Sequence, residues 1–158
     1  MSEPQQTLPS IGRLAGLDYG SARIGIAICD PSQTWISPLE TYSRRNAKLD
    51  GEFFGRLVEE EALVGFVVGL PIHCDGKESQ KSAEARSFGT WLTDLTGLPV
   101  VLFDERFTTS EARQLLAQHA GSGKKKRKKL DGLAAHLILS HFLDSSRQQL
   151  SQNDALDR

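Results

Sequence analysis

Residues 14–29 read LAGLDYGSARIGIAIC. Leu14 to Leu17 are small or apolar and begin a strand that ends at Asp18. Tyr19-Gly20-Ser21-Ala22 has the composition of a turn, and Ile24 to Ile28 alternates isoleucine with glycine and alanine. The stretch predicts a β-hairpin. Its glycines weaken the strands but let another backbone or a ligand approach closely. Acidic residues are depleted in strands, so an acid ending a buried strand has a purpose there: a cap, a salt bridge or a metal.

Outward from the hairpin, Thr34 to Tyr42 predicts a third strand, interrupted by Pro38. Leu49, Phe53, Leu57 and Val58 recur at helical spacing, which predicts a helix over 46–62. Gly65 to Pro71 is a short apolar run with the character of a buried parallel strand stopped by proline. Phe88, Trp91, Leu92 and Leu95 share one face of a second helix, Glu78 to Thr96. Pro99 to Phe103 is another buried strand, ending at Asp104-Glu105-Arg106. Thr108 and Glu111 fit a capping box that opens a helix to about His119, and Leu130 to Leu143 forms the last one. A meander followed by alternating helix and strand predicts an α/β fold, a mixed five-stranded sheet flanked by helices. Right-handed crossovers place the later strands parallel to the first.

The 158 residues suit one domain. It is expected over 11–144, between a disordered N-terminal tail (1–10) and a polar C-terminal tail (145–158) that frays. Apolar residues make up 39% and charged residues 25%, ordinary for a globular protein. The polar start MSEPQQTLPS has no signal-peptide core, and no run approaches the ~18 apolar residues of a membrane helix. Cys29 and Cys74 are far apart with no C-x-x-C spacing, so they read as structural thiols in a reducing, cytoplasmic setting.

The net charge of −1 conceals an asymmetry. Residues 124–129 read KKKRKK; without them the chain holds 13 basic against 20 acidic residues. Lys124, Lys125, Lys126, Arg127, Lys128 and Lys129 form a cationic segment, expected to be a flexible loop, on an acidic body. Such a segment seeks anions, although a solvated surface loop has the same composition.

Three acidic positions stand out: Asp18, the Asp104-Glu105 pair, and Asp131 at the start of the last helix. Asp131, Ala135, Ile138 and Phe142 share one helical face, so Asp131 tops the buried side and can approach Asp18. An acid there also serves the helix dipole. Strand alternation sends Asp104 and Glu105 to opposite faces, and residue pattern alone leaves both open. Parallel strands lie ~4.8 Å apart, so carboxylates one or two strands away can converge. Carboxylates without thiolates or well-spaced histidines suit a hard cation, Mg²⁺ or Mn²⁺. His136 and His141, five apart, fall on different helix faces, and Trp35 and Trp91 read as core or sheet-edge packing.

Four blocks in order carry a resemblance: Leu17-Asp18-Tyr19-Gly20 with Arg23 to Ala27; Val67 to Pro71 with Asp75-Gly76; Asp104 to Thr109; and Asp131 with Ala134-Ala135 and Ile138-Leu139. Over roughly residues 12–144 the chain resembles the YqgF (RuvX) family of bacterial pre-16S rRNA nucleases, also described as Holliday-junction-resolvase-like. The resemblance implies a ribonuclease H-like fold and cytoplasmic, metal-dependent cleavage of nucleic acid. It also implies a role in trimming the 5′ end of the small-subunit rRNA precursor. By motif position it implies that Asp18, Glu105 and Asp131 are the metal ligands, with Asp104 a contributor or salt-bridge partner. Arg23 and Arg106, each beside an acid, either pair with it or hold a phosphate. The basic segment grips the nucleic-acid backbone without reading sequence.

Partners expected from this reading are pre-rRNA within a ribosomal precursor particle, with structured DNA as the alternative substrate, for a monomer or homodimer and no membrane. Two further classes compete. An ATPase of the actin and sugar-kinase type shares the Asp-x-Gly hairpin, but a single domain cannot supply two lobes around a nucleotide. A catalytically silent RNA-binding assembly factor is disfavoured by the three acids.

Overall fold

The computed structural model describes residues 7–70, 80–104, 114 and 124–156, with 124–130 as backbone only. Glu105, Arg106, His73, Cys74, Thr108 and most of the helix expected to follow it lie outside the described residues. Five strands form one sheet: β1 (Arg13–Asp18), β2 (Arg23–Cys29), β3 (Ile36–Ser43), β4 (Leu63–Leu70) and β5 (Val100–Asp104), in the order β3-β2-β1-β4-β5. β1, β2 and β3 pair antiparallel, whereas β4 runs parallel to β1 and β5 parallel to β4. This is the mixed sheet expected from the sequence. The described helices are α1 (Ala47–Glu61), α2 (Gln80–Thr96) and α3 (Lys124–Leu156).

Strand alternation sorts the core into two layers. Ala15, Leu17, Ile24, Ile26, Phe66 and Val68 face α1 and α2, where they meet Phe54, Phe88 and Leu92. Leu14, Cys29 and Val67 face the other way, against Ile138, Leu139 and Leu143 of α3. Phe54, Phe66, Ile138 and Leu139 are fully buried, and burial of such a side chain is worth about 1.5–3 kcal/mol. The apolar face expected for the last helix does pack on the sheet: Ala135 and Ile138 are fully buried, and Phe142 meets Phe103 edge-on.

β3 keeps Pro38 at a register shift. Ile26 pairs with Glu40 and Ala27 with Pro38, which leaves Leu39 as an extra residue. As an edge strand β3 tolerates the missing amide. α1 begins where Asn46 accepts a hydrogen bond from the Leu49 amide at 2.9 Å, and ends at Ala62 in the left-handed region, φ 51°.

Several expectations need correction. The basic segment is helical from Lys124, and the polar stretch after Ser145 continues the same helix to Leu156. Lysine, arginine and glutamine are good helix formers. Neither glycine nor proline interrupts 133–156, and a helix already nucleated by its packed middle extends at little cost. Arg147 adds a tie, its Nη2 donating to the Gln33 carbonyl. Leu8 and Pro9, assigned to the disordered tail, lie on the body: Leu8 packs against the α3-side core, and the Pro9 carbonyl accepts from Gln33 Nε2 at 2.9 Å. Trp35 is 75% exposed just before β3 and packs neither core nor edge, whereas Trp91 stacks on Phe88. No helix among the described residues is long and apolar enough to cross a membrane.

Candidate active site

The parallel strands β1, β4 and β5 end on one edge of the sheet, the edge where α/β sheets usually bind ligands. Asp18 closes β1 there. Its ladder partner is Gly25, and the ladder partner of Gly25 on β3 is Thr41. Residues paired across a ladder share a face. Gly25 faces α3: a Cβ at this position would collide with the Asp131 carbonyl and lie 3.0 Å from the Asp131 Cβ. Asp18 therefore belongs to the α3 face as well. The roughly 5 Å between opposed Cβ positions caps the Asp18–Asp131 Cβ separation at about 8 Å.

The same closeness recurs one turn along the helix. A Cβ at Gly16 would meet Leu139 Cβ at 2.7 Å and the Ala135 carbonyl at 2.9 Å. Two glycines on neighbouring strands thus let α3 lie flat on the sheet, which holds Asp131 over the end of β1.

Arg23, at the start of β2, shares the face of Gly25 and donates from Nε to Asp131 Oδ2 at 2.8 Å. The pair is partly buried, with side chains 34% and 16% exposed, so its charges are only partly screened. Arg23 thus reaches Asp131, an acid 108 positions away, while standing near Asp18 in the motif.

Asp104 lies elsewhere. It pairs with Leu70, and Leu70, Val100 and Leu102 all belong to the α1–α2 layer. Asp104 thus faces away from Asp18 and Asp131, although β5 is only two places from β1, about 10 Å. Lys124 to Lys129 form the first turns of α3, directly ahead of Asp131.

The donor set of the α3 face suits a hard cation. Asp18 and Asp131 offer carboxylate oxygen, and the missing side chain at Gly25 keeps the intervening space small. Among the described residues no group of three His, Cys, Asp or Glu side chains comes together. Cys29 sits at the far end of β2, buried, with its Sγ accepting from the Leu14 amide at 3.2 Å, and burial raises its pKa. His136, five residues beyond Asp131, is held below its ordinary pKa by burial, and its Nδ1 has no partner among the described residues. It lies about 140° around the helix from Asp131, too far for a shared ligand set.

On the opposite face, the sequence reading missed a second cluster. Asp50, 3% exposed, accepts from Tyr42 Oη at 2.6 Å and from the Arg45 amide at 2.9 Å, and Arg44 Nε lies 3.5 Å away. Burial pushes the Asp50 carboxyl up, but the Tyr42 hydrogen bond, the Arg45 amide and the Arg44 charge outweigh it and hold it below the ordinary value. Burial and the facing carboxylate push Tyr42 up to about 12. Tyr42 and Arg44 stand two apart at a strand end, a spacing that puts them on one face and was legible in the sequence.

The chain is similar to known proteins in sequence and in structure. The RuvX family model, described as Holliday junction resolvase, matches residues 12–145. A Rhodopirellula baltica protein named "Putative pre-16S rRNA nuclease" is 48% identical over 139 residues, covering 88% of this chain and 80% of that one. A Zymomonas mobilis protein of the same name is 38% identical over 141 residues, covering 89% of this chain and 86% of the other. Among solved structures, T. thermophilus RuvC in complex with Holliday junction substrate aligns at a TM-score of 0.49 and 13% identity, covering 80% of this chain and 91% of that chain.

Proposed function

The chain belongs to the RuvX family, and from that premise we propose that it is a metal-dependent nuclease that hydrolyses phosphodiester bonds, processing the 5′ end of pre-16S rRNA. The observation that carries this reading is the pairing of Asp18 with Gly25 beneath Asp131, which brings two carboxylates to one face at the carboxyl edge of the parallel strands.

In this reading Asp18, Glu105 and Asp131 hold Mg²⁺ or Mn²⁺. Glu105 enters by its motif position, as the family resemblance implies, and it lies outside the described residues. A divalent ion bound there supplies a Lewis acid for the phosphodiester and a more acidic water as nucleophile. The protein's own part is positioning. Asp18 and Asp131 orient the attacking water by accepting hydrogen bonds from it, and the close seat of α3 fixes their spacing. Arg23 releases Asp131 as the site fills and turns its guanidinium to a phosphate oxygen. Arg106 and Lys124–Lys129 add sequence-independent attraction to the backbone. The setting is the cytoplasm and the partner a ribosomal precursor particle.

The family description favours one second reading, cleavage of four-way DNA junctions. Both are tested together: 5′-extended 16S precursor RNA and a four-way DNA junction are incubated with wild-type protein and Asp18→Asn in Mg²⁺, Mn²⁺ or EDTA. The expected result is RNA cleavage by wild type in either metal and none in EDTA or with the variant. Cleavage of the junction alone would select the second reading. Equal activity of Asp18→Asn, or full activity in EDTA, would remove the metal-nuclease reading.

A further inference from the structure

The edge of the sheet that carries Asp18 has a second concavity, on the opposite face. Tyr19, the next residue along, is 8% exposed and belongs to the α1–α2 layer. It lines an open groove of about 670 Å³ together with Ser21, Arg44, Arg45, Phe88 and Trp91. That volume is in the range of small-molecule and cofactor sites. One Cα–Cα step, roughly 3.8 Å, separates Asp18 from Tyr19, so a strand crossing the end of β1 meets the acids and the groove within a nucleotide or two.

The floor is aromatic. Tyr19 and Phe88 lie 5.1 Å apart by ring centroids, and Phe88 stacks on Trp91 at 5.5 Å. The Arg44 guanidinium lies over the Tyr19 ring at 5.3 Å and the Phe88 ring at 5.7 Å. Three bonds hold it: Nη1 donates to Tyr19 Oη at 3.0 Å, Nε reaches Asp50 at 3.5 Å, and its amide donates to the Ala22 carbonyl at 2.9 Å. The last bond ties the arginine to the turn that follows Asp18.

Arg44 is more than the counter-ion of Asp50. Asp50 takes its short bonds from Tyr42 and the Arg45 amide, and the Arg44 Nε contact to it is longer, at 3.5 Å, so the guanidinium edge is not fully occupied by the carboxylate. Its side chain remains 27% exposed, and the Arg45 residue is exposed beside it. The acid across the groove, Glu84, receives a hydrogen bond from Gln80. An aromatic floor, a guanidinium lying over it, a second arginine and a polar rim match the chemistry that receives unpaired nucleotides: bases stack on aromatic and guanidinium planes, and phosphates pair with arginine.

We propose that this groove binds the unpaired nucleotides flanking the scissile phosphate, stacking a base on the Arg44 guanidinium and Trp91 above the buried Phe88 and pairing the phosphate with Arg44 and Arg45. The inference rests on the nuclease reading for its occupant, a single nucleic-acid strand. It assigns the α1–α2 face of the sheet to substrate, where the acids occupy only the α3 face.

The test uses the full chain in EDTA, so that binding is read without cleavage. The probe is a single-stranded hexanucleotide RNA carrying 2-aminopurine and a terminal fluorophore, titrated by anisotropy while the 2-aminopurine emission is followed. Wild type is expected to bind and to quench 2-aminopurine, as stacking does. Arg45→Gln should weaken binding by roughly tenfold, the size of one charge-assisted hydrogen bond, and flatten the log–log salt slope by about 0.7. Arg44→Lys keeps the charge but loses the planar stack, and should reduce the quenching. Should Arg44→Lys fail to fold, the exposed Arg45→Gln variant decides alone. No binding by wild type, unchanged 2-aminopurine emission, or wild-type affinity and slope in Arg45→Gln would overturn the proposal. Failure of the nuclease reading shows separately, as absence of cleavage by wild type in Mg²⁺ or Mn²⁺.

Discussion

Asp131 of α3 sits over Gly25 of β2 at a distance that leaves no room for a side chain: a Cβ at 25 would lie 2.6 Å from the Asp131 carbonyl carbon and 3.0 Å from its Cβ. Gly25 is also the residue that faces Asp18 across the ladder. One glycine therefore sets the spacing between two carboxylates that are 113 positions apart in the chain, numbers 18 and 131. The glycine here is a spacer rather than a flexible joint.

Gly25→Ala should therefore separate the acids. The obstacle is helix backbone, which cannot swing aside like a side-chain tip, so the first turns of α3 must lift. Overpacking of this kind costs about 1–3 kcal/mol. The expected outcome is a lower melting temperature and a larger loss of Mn²⁺ affinity, measured calorimetrically on protein that remains folded. Wild-type Mn²⁺ affinity in a folded Gly25→Ala protein would show that the close approach has no bearing on the acids.

Arg23→Gln tests the ion pair from the other side. Arg23 holds Asp131 Oδ2 at 2.8 Å, so a cation that needs this carboxylate must displace a guanidinium. Removing the competitor should tighten Mg²⁺ or Mn²⁺ binding by roughly fivefold to tenfold, as expected for a partly exposed pair worth about 1 kcal/mol. The same change should weaken binding of a cleavage-resistant RNA in the presence of the metal, because it takes away a phosphate partner. The two affinities move in opposite directions only if Arg23 alternates between acid and phosphate. A parallel fall in both would mark it as a structural tie.

The Tyr42–Asp50 pair predicts two limbs of pH-dependent stability. Asp50 is depressed in the folded state, so its contribution is complete above the unfolded value of about 3.9 and is lost as pH falls through the lower folded value. Tyr42 is raised to about 12; its contribution is complete below the unfolded value of about 10 and is lost as pH climbs toward the folded one. Tyr42→Phe should cost about 1–3 kcal/mol at neutral pH, since it removes a hydrogen bond to a buried carboxylate. The difference in melting temperature between wild type and Tyr42→Phe should shrink between pH 10 and 12. A constant difference across that window would mean that the phenol is not the titrating group.

The strands were legible because their signals are local. The period of two in Ile24–Ile28 and the apolar run before Pro71 need no distant partner to be read. The Asp18–Asp131 convergence was legible in outline, because Asp131, Ala135, Ile138 and Phe142 share a helical face. The means of convergence was not: nothing near Gly25 in the sequence reveals that a helix beginning a hundred residues later lies on it. The length of α3 was misread for a different reason. Its ends lack apolar periodicity, and helix formation there is carried by propensity and by continuity with a packed middle. The Arg44 platform was missed because its members come from the segments just after β1 and around the end of β3 and from α1 and α2, and only Tyr42 and Arg44 lie close enough in sequence to share a pattern.

The basic segment gives a prediction whose sign depends on its being helical. Lys124, Lys125, Lys126 and Lys128 occupy the first turns of α3, where positive charge opposes the helix dipole and neighbouring lysines repel one another. Replacing these four with glutamine keeps helix propensity and removes the unfavourable charge. The melting temperature should therefore hold or rise slightly, by an amount corresponding to roughly 0.3–1 kcal/mol. RNA binding should move the other way, and the log–log salt slope should flatten by about 0.7 for every phosphate that the variant no longer neutralises. Together the two results would show charge kept at a helix start against stability because the ligand needs it. An unchanged slope with raised stability would leave the segment as a solubilising surface, and a large fall in melting temperature would contradict the helical assignment, because a neutral helix former cannot destabilise a helix start that its cations were already straining.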